Sequence, residues 1–330
     1  MNRSAIVLVN WNGWRDTVEC LASLQRLVQR PLLTVVVDNA STDGSAERIA
    51  AWCAGRDVAV PEQRSPLLPA FDGAAPATLR WAELDEADPP PAEPPEVLLL
   101  KSRTNRGFAG GNNLGLQLAR AYDPQGYWLL NTDTVVDPGA LQALERRAQA
   151  VPTAGMLGST LLYYGRPDEV HAAAGARFDR RTGSAAHVAA HVRESALPDV
   201  ATVEAACDYI VGASLYATRA FVDAVGGMCK DYFLYFEEID WALRAQGRFG
   251  LAWARDSRVF HKVGGSSRRT ASRTALRYLY RNRLRVMQRF FPHALGSTRR
   301  HLMLQVLQHA RRGHWDAVRE IAGALAHGPR

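Results

Sequence analysis

A chain of 330 residues with 47% hydrophobic and 22% charged residues is long and apolar enough for one large α/β domain with an appendage, or for two domains, and is not a disordered polymer. Its four cysteines stand far apart without a CxxC pair, which argues against a zinc cluster or a disulfide framework and favours a reducing compartment. Most of the excess behind the net charge of +7 lies after residue 267, where a basic helical region suits an anionic membrane surface or nucleic acid.

The first half of the chain alternates apolar runs with amphipathic segments. The apolar runs predict strands, at 5–10, 33–37, 97–100 and 127–132. The amphipathic segments predict helices, at 14–29, 43–52 and 114–121 and from Pro138 onward. The first apolar run is too short for a signal peptide, so we expect it to be the first strand. Together the elements predict a mostly parallel sheet with helical crossovers.

Residues 61–96 interrupt this alternation. The segment is rich in proline and in acidic residues, so we expect an exposed, mobile insertion without regular structure. The pattern after residue 155 is looser and predicts strands at 155–162, 207–217, 249–253 and 257–261. It also predicts helices, at 218–225 and 237–246 and from 272 to the end of the chain.

Arginines and apolar residues are interleaved in the basic region. Its apolar members are Tyr278, Leu279, Leu284, Val286, Met287, Phe290 and Phe291. They predict either contact with an anionic membrane or packing onto the rest of the protein. No run of about 18 apolar residues exists in the sequence, so we expect a cytoplasmic protein, held at most at a membrane surface.

An aspartate follows the second apolar run. In an open parallel sheet, ligands bind at the carboxyl ends of the strands. Asp38 stands at such an end and is placed to accept hydrogen bonds from a pyrimidine N–H and a ribose hydroxyl. The alternative is an Asx-turn or a helix cap, which explains Asp43 better than Asp38.

A segment rich in glycine and asparagine, residues 105–115, precedes the third predicted helix. Its glycines allow positive φ and a close approach of the backbone to a ligand. The helix that follows would present its N–H groups to an anion. The glycine spacing is not GxGxxG, which weakens a dinucleotide site, and a simple tight turn is the alternative.

Oxygen and nitrogen ligands follow two further strands. Asp133 comes after the run that ends at Asn131-Thr132, and a hard cation such as Mg²⁺ or Mn²⁺ prefers carboxylates and substrate phosphates. His261 stands at the end of the last predicted strand, before two glycines, where metal ligation and a structural role are both open. The sequence therefore predicts a divalent metal site at Asp133.

Acidic residues cluster in the first turn of the helix predicted at 237–246. Glu237 and Asp240 are explained by the helix dipole and by an i, i+4 pair with Arg244. Glu238 has no evident partner and lies among aromatic residues, which would raise its pKa toward the range of a general base.

In their order along the chain, these segments resemble family 2 glycosyltransferases of GT-A fold, most closely the bacterial rhamnosyltransferase-like branch. The matching motifs are Val7-Leu8-Val9-Asn10-Trp11-Asn12-Gly13, Val37-Asp38-Asn39-Ala40-Ser41-Thr42-Asp43-Gly44-Ser45, Asn105-Arg106-Gly107-Phe108-Ala109-Gly110-Gly111-Asn112-Asn113, Leu130-Asn131-Thr132-Asp133, Tyr235-Phe236-Glu237-Glu238-Ile239-Asp240-Trp241, His261-Lys262-Val263-Gly264-Gly265 and Tyr280-Arg281-Asn282-Arg283. The resemblance implies a GT-A domain at 1–266 and a basic helical region at 267–330.

The resemblance also implies inverting transfer of a sugar from a nucleotide donor, with Mg²⁺ or Mn²⁺ bridging the diphosphate. By position, Glu238 is the expected base, Asp133 and His261 the expected metal ligands, and Glu237, Asp240 and Trp241 acceptor-side or supporting residues. The residues expected to bind the donor are Asn10, Asp38, Asn39, Asn105, Arg106, Gly107, Gly111, Asn112, Asn131 and Asp133. Two positions depart from the family pattern, since Asn131 stands where Asp is usual and Glu238 where Asp is common.

The branch favours dTDP-L-rhamnose as donor and a glycan or lipid-linked acceptor in cell-envelope polysaccharide synthesis, at the inner face of the bacterial plasma membrane and without nucleic acid. A nucleotidyltransferase that makes nucleotide sugars is one alternative, but it would carry a basic glycine-rich loop where Asn10-Trp11-Asn12 stands. A non-enzymatic adaptor for an anionic membrane is the other, and it leaves the carboxylates without a role. No feature of the sequence predicts the oligomeric state.

Overall fold

The computed structural model describes residues 4–56, 79–263 and 273–328. Within these ranges the strands are β1 (Ala5–Asn10), β2 (Leu33–Asp38), β3 (Trp81–Asp85), β4 (Val97–Lys101), β5 (Gly126–Leu130), β6 (Thr134–Val136), β7 (Ala154–Tyr163), β8 (Arg166–Ala173), β9 (Gly175–Phe178), β10 (Ala185–His187), β11 (Tyr209–Ile210), β12 (Ser214–Thr218) and β13 (Gly250–His261). The α-helices are α1 (Trp14–Leu24), α2 (Ser45–Cys53), α3 (Gly107–Arg120), α4 (Ala140–Ala150), α5 (Val200–Ala206), α6 (Arg219–Val225), α7 (Glu237–Ala245), α8 (Arg273–Phe290), α9 (Leu295–Arg311) and α10 (Trp315–His327).

The core of the molecule is a ten-stranded sheet in the order β3-β4-β2-β1-β5-β12-β7-β13-β6, with β8 paired to β7. The first five strands of this order are mutually parallel, whereas β12 runs antiparallel to both β5 and β7. Strands β9, β10 and β11 form a small second sheet. The predicted α/β fold with a mostly parallel central sheet, flanking helices and a C-terminal helical extension is confirmed.

The glycine-rich segment is helical rather than a turn, because α3 already begins at Gly107. The helix packs directly against the buried strands β1 and β2. A Cβ atom at Gly111 would lie 2.7 Å from Val9 Cγ1, and one at Gly115 would lie 2.3 Å from Val7 Cγ1. These glycines therefore bring a helix close to the sheet, and the sequence pattern of a ligand loop was a wrong guide to the local structure.

Other elements also differ from the predictions. Strand β3 lies inside the segment 61–96 that was expected to lack regular structure, and it pairs with β4 along the edge of the sheet. The two short strands predicted at 249–253 and 257–261 are one strand, β13, whose pairing with β7 is irregular between Ala254 and Arg258. Residues 61–78 of the predicted insertion and the predicted domain boundary at 266 lie outside the described residues.

The C-terminal helices pack onto the rest of the protein. Leu284, Val286 and Met287 of α8 are fully buried, and Tyr280 is nearly so. Of the two interpretations of the apolar residues in this region, packing onto the rest of the protein holds for Val286 and Met287, which lie in the main core, whereas Leu284 and Tyr280 lie in a small core that α8 shares with α9 and α10. Among the described residues, no helix combines the length and the apolar character needed to cross a membrane.

Candidate active site

Two polar side chains end the neighbouring strands β1 and β2 in register. Asn10 pairs with Asp38, and its Nδ2 donates to Asp38 Oδ1 at 2.7 Å. The other carboxylate oxygen, Oδ2, accepts from the Ser41 N–H at 3.1 Å. Asn10 Oδ1 in turn accepts from the Thr17 hydroxyl at 2.8 Å. Both side chains are buried, so their positions are fixed by the protein. The Asp38 carboxylate lies at the carboxyl end of its strand.

Asn39 connects the ends of these two strands to the start of α3. Its Nδ2 donates to Asn105 Oδ1 at 3.1 Å and to the Gly107 carbonyl at 3.0 Å. Its Oδ1 accepts from the Arg106 N–H at 2.9 Å. One buried amide thus fixes the backbone of Arg106 and Gly107 and the side chain of Asn105, three residues that the sequence motif assigned to donor binding.

Arg106 forms an ion pair with Glu86, a residue just after β3 that the sequence analysis did not select. Glu86 also accepts from the Arg103 N–H at 3.2 Å. The pairing of β3 with β4 is what places Glu86 beside Arg106, so no local motif could have revealed it. The guanidinium is therefore already partly neutralised at the edge of the site.

Gly107 links the corner formed by Asn10, Asp38 and Asn39 to the segment before α7. It has φ of +67°, and a Cβ there would lie 2.1 Å from the Phe233 carbonyl oxygen. The next residue, Phe108, donates its N–H to that oxygen at 2.7 Å. Gly111 and Asn112 lie on the packed face of α3, and Asn112 Nδ2 donates to the Phe108 carbonyl at 3.0 Å.

Asp133 lies between β5 and β6, where it faces the end of β13. His261 Nε2 is 3.2 Å from Asp133 Oδ1, and the Lys262 N–H donates to the Asp133 carbonyl at 2.9 Å. Burial alone would raise the pKa of Asp133, but attraction to His261 and a hydrogen bond from it outweigh burial and hold the pKa below its usual value. Asp133 is therefore an ionised carboxylate beside an imidazole.

This pair fits a divalent cation that also binds phosphates. No group of three or more His, Cys, Asp or Glu side chains in the described ranges could hold a metal by itself. Asp133 and His261 would thus supply two ligands, and Mg²⁺ or Mn²⁺ would complete its shell with substrate oxygens and water. One carboxylate with an open shell is the usual arrangement for a cation that arrives with a phosphorylated substrate.

A cluster of histidines surrounds the imidazole of His261. His171 Nδ1 lies 3.5 Å from His261 Nδ1, and the rings of His171 and His187 are 4.6 Å apart in an edge-on contact. Burial, followed by repulsion from His261 and His187, lowers the pKa of His171 to about 3, so this ring is neutral. Since β7 pairs with both β8 and β13, the cluster arises from strand order and has no sequence signature.

A backbone hydrogen bond at Asn131 connects the end of β5 to the residues that precede β12. Its N–H donates to the Ala213 carbonyl at 3.0 Å, where β12 begins antiparallel to β5. The preceding residue, Gly212, lies beside the Glu238 carboxylate, since a Cβ atom there would be 3.5 Å from Glu238 Oε1. Residues 212–213 therefore connect the Asn131–Asp133 segment to the expected base.

Glu238 lies in the first turn of α7, after a turn in which Tyr235 and Phe236 are both left-handed, with φ of 69° and 74°. Burial raises the pKa of Glu238 to about 7, although its own N–H and that of Gly212 counteract the rise. Its Oε2 has no hydrogen-bond partner among the described residues. Burial, and then the charge of Glu238, raise the pKa of the neighbouring Glu237 well above its usual value.

Asp240 and Trp241 anchor α7. Asp240 is fully buried and pairs with Arg244 and with Arg289 of α8, each at 2.7 Å. Trp241 Nε1 donates to the Gly226 carbonyl at 2.9 Å. Both side chains bind other groups of the protein, which is consistent with the supporting role expected for them.

Asn282 of α8 forms hydrogen bonds with the backbone of the left-handed turn before α7. It is buried, and its Nδ2 donates to the carbonyls of Leu234 and Tyr235 at 2.8 and 3.0 Å. Asn282 lies in the motif Tyr280-Arg281-Asn282-Arg283, but no local feature of the sequence predicts this role. The orientation of Glu238 thus depends on a helix almost fifty residues further along the chain.

No protein-family model matches the chain, and no curated protein matches its sequence. Among solved structures, the mannosyltransferase PcManGT from Pyrobaculum calidifontis in complex with GDP-Man and Mn²⁺ superposes over 99% of this chain and 76% of its own, with a TM-score of 0.53 and 15% identity. GalNAc-T7 with UDP, GalNAc and Mn²⁺ matches over 85% of this chain, with a TM-score of 0.54 and 15% identity, and this chain spans 47% of its length. The chain has the GT-A fold.

Within this GT-A chain, the candidate site combines three chemical functions. The ends of β1 and β2 supply a hydrogen-bonded carboxylate, Asp133 and His261 supply an anionic and an imidazole ligand, and the first turn of α7 supplies a buried carboxyl group. All three surround the carboxyl ends of β2, β1 and β5, where α/β sheets bind ligands.

Proposed function

We propose that the chain is an inverting glycosyltransferase that uses a nucleotide-sugar donor and a divalent metal. The observation that carries the proposal is the joint presence of an ionised Asp133 beside His261 and a Glu238 of raised pKa in a GT-A sheet. A pKa of about 7 suits a group that accepts a proton at neutral pH, because the base is then both available and basic.

In this mechanism Glu238 accepts the proton of the acceptor hydroxyl as that oxygen attacks the anomeric carbon. Its unpartnered Oε2 is free for that proton, and Gly212 lies beside the other oxygen of the carboxylate. Asp133 and His261 would hold Mg²⁺ or Mn²⁺, which supplies charge stabilisation for the departing diphosphate. Attack opposite the leaving group accounts for the proposed inversion.

On the donor side, Asp38 would accept from the nucleobase through the lone pairs that Asn10 and Ser41 leave unused. Asn39, Asn105 and Arg106 would lie beside the same nucleotide. The resemblance of the motifs to the rhamnosyltransferase-like branch favours dTDP-L-rhamnose as donor. It also favours a glycan or lipid-linked acceptor of cell-envelope synthesis.

A donor screen tests this function. Release of nucleoside diphosphate would be measured with dTDP-rhamnose, UDP-sugars and GDP-sugars, each with Mn²⁺, with Mg²⁺ and with EDTA. We expect metal-dependent release from one donor class and its loss in Asp133→Asn. If the folded protein neither binds nor hydrolyses any of these donors with either metal, the proposal is wrong.

A further inference from the structure

Helix α9 turns apolar side chains toward solvent. Met303, Leu304 and Leu307 are each more than half exposed, and Trp315 at the start of α10 is 60% exposed. These four are half of the large apolar side chains that are exposed in the described ranges. Isolated exposed residues are ordinary, but Met303, Leu304 and Leu307 lie on adjacent turns of one helix, which indicates a contact surface.

Arginines frame this apolar group. Arg300 precedes Leu304 by four positions and Arg311 follows Leu307 by four, so all four residues share one helix face. Arg299 and Arg312 are also exposed. In the part of the chain that the structure describes, none of these arginines pairs with a carboxylate. We call Arg299, Arg300, Met303, Leu304, Leu307, Arg311, Arg312 and Trp315 the α9 surface.

The opposite face of α9 is already used for packing. Leu302 and Thr298 are fully buried, and Leu302 belongs to a small core with Ile321 of α10 and Leu284 of α8. The exposed residues are therefore not displaced core residues of this helix. A helix with one face in the protein and an apolar, cationic face in solvent has the pattern of an interfacial helix.

The charge of this region indicates which kind of partner the α9 surface binds. The sequence contains no Asp or Glu between Asp256 and Asp316, so α9 itself carries basic residues and no acid, and the exposed Asp316 beside Trp315 is the acid that follows it in the chain. In a symmetric contact with a second copy, the four arginines of α9 would oppose the same four arginines, and α9 has no acid to pair with them. A nucleic acid would satisfy the arginines but leave Leu304, Leu307 and Trp315 in contact with water. An anionic bilayer satisfies both, since headgroups pair with arginine and the interface accepts leucine and tryptophan.

We propose that the α9 surface binds the chain peripherally to an anionic lipid membrane. Helix α8 makes the connection to the site, because it packs against α9 and α10 and also carries Asn282, which holds the turn before Glu238. Membrane contact would thus hold the proposed base close to a lipid-linked acceptor. This last step rests on the proposed function, whereas membrane binding itself does not.

Vesicle flotation of the full chain tests the proposal. Vesicles of phosphatidylcholine would be compared with vesicles that contain phosphatidylglycerol, at low and high salt. The variants are Leu304→Ser with Leu307→Ser, and Arg300→Gln with Arg311→Gln. Val28→Ser with Arg30→Gln is the matched control, because Val28 is 73% exposed and Arg30 is exposed on another part of the surface.

We expect salt-sensitive flotation with the anionic vesicles, about tenfold weaker in either α9 variant and unchanged in the control. Equal binding by the wild type and both α9 variants would overturn the proposal. So would a concentration-dependent dimer, seen by sedimentation velocity, that the leucine variant abolishes without any vesicle binding by the wild type. Flotation requires no donor, so its outcome is separate from that of the donor screen.

Discussion

The proposed donor side and the proposed acceptor side of the site differ in how many of their polar groups have hydrogen-bond partners. At the ends of β1 and β2, Asn10, Asp38 and Asn39 each take part in at least two side-chain hydrogen bonds. In the first turn of α7, Glu237 and Glu238 each keep one buried oxygen without a partner among the described residues. The backbone differs as well, since a left-handed pair of residues precedes α7.

This difference in hydrogen bonding suits two different roles, binding of the donor at the ends of β1 and β2 and proton transfer at α7. A satisfied network is rigid and holds its geometry before the ligand arrives, which suits recognition of a donor. A buried carboxyl group with few partners favours its protonated form, which suits a base that must take up a proton. We therefore expect substitutions on the donor side to change affinity, and those that affect α7 to change turnover.

The largest of the following effects is expected at the metal ligands. Asp133→Asn should lower turnover about 100-fold or more, because it removes the anionic ligand that would hold the cation against the diphosphate. The measurement is turnover as a function of Mn²⁺ concentration. Asp137→Asn is the matched control, since Asp137 is a nearby acid that accepts from the Gly139 N–H. Equal loss in both variants would argue against a metal role for Asp133.

The pH dependence should show activity and stability moving in opposite directions. Because the folded-state pKa of Glu238 is about 7, turnover should fall about tenfold per pH unit below that value as the base is protonated. The folded pKa exceeds the unfolded one, so the folded state binds more protons between about pH 4.5 and 7. Within this window the Glu238 contribution to the free energy of unfolding should decrease as pH rises.

The effect on stability is measured as the difference in the free energy of unfolding between the wild type and Glu238→Gln. Chemical denaturation of the wild type and of Glu238→Gln across the same pH range isolates the contribution of this carboxyl group. We expect the variant to gain roughly 1–3 kcal/mol relative to the wild type between pH 4.5 and pH 8. A constant difference across the range would mean that the Glu238 pKa is not raised.

Asn282 should affect turnover although it lies on α8. Asn282→Ala removes two hydrogen bonds from the turn before α7, so Glu238 would lose its orientation and turnover should fall about 10- to 100-fold. Asn113→Ala is the control, because Asn113 makes a similar pair of bonds to the Met228 backbone. We expect comparable losses of stability in the two variants but a changed pH profile only in Asn282→Ala. If the pH profiles of turnover were the same in the two variants, Asn282 would have a structural role only.

The smallest effect is expected on the donor side. Asp38→Asn should raise the KM for the donor about fivefold with little change in kcat, since it weakens a hydrogen bond made equally in the ground and transition states. Asp43→Asn is its control. Asp43 Oδ1 accepts from the N–H and hydroxyl of Ser45 at the start of α2, so its loss should affect stability alone. A KM change in both variants would show that the loop, rather than Asp38, determines donor affinity.

The sequence predicted the parts of this fold that depend on local pattern. Strands such as β1 and β2 are mostly apolar up to their last residue because both of their faces are covered, and this leaves a clear signal. The start of α3 was missed, because the glycines that let it approach Val7 and Val9 resemble those of a loop. Local pattern cannot distinguish a glycine that serves packing from one that serves a ligand.

The site was predictable where its residues follow their own strands, as Asp38 and Asp133 do. Glu86 and His171 were missed because they reach the site only through the pairing of β3 with β4 and of β7 with β8. The role of Asn282 was missed because its partners, Leu234 and Tyr235, are remote in sequence. Long-range pairing of strands and helices, rather than composition, determines these contacts.

Glu238→Gln provides the most direct test of the account, with donor binding and turnover measured on the same folded sample and with Mn²⁺ present. The account predicts unchanged donor affinity and turnover lower by about 100-fold or more, because the amide cannot accept the acceptor proton. Near-normal turnover in this variant would contradict the assignment of Glu238 as the base.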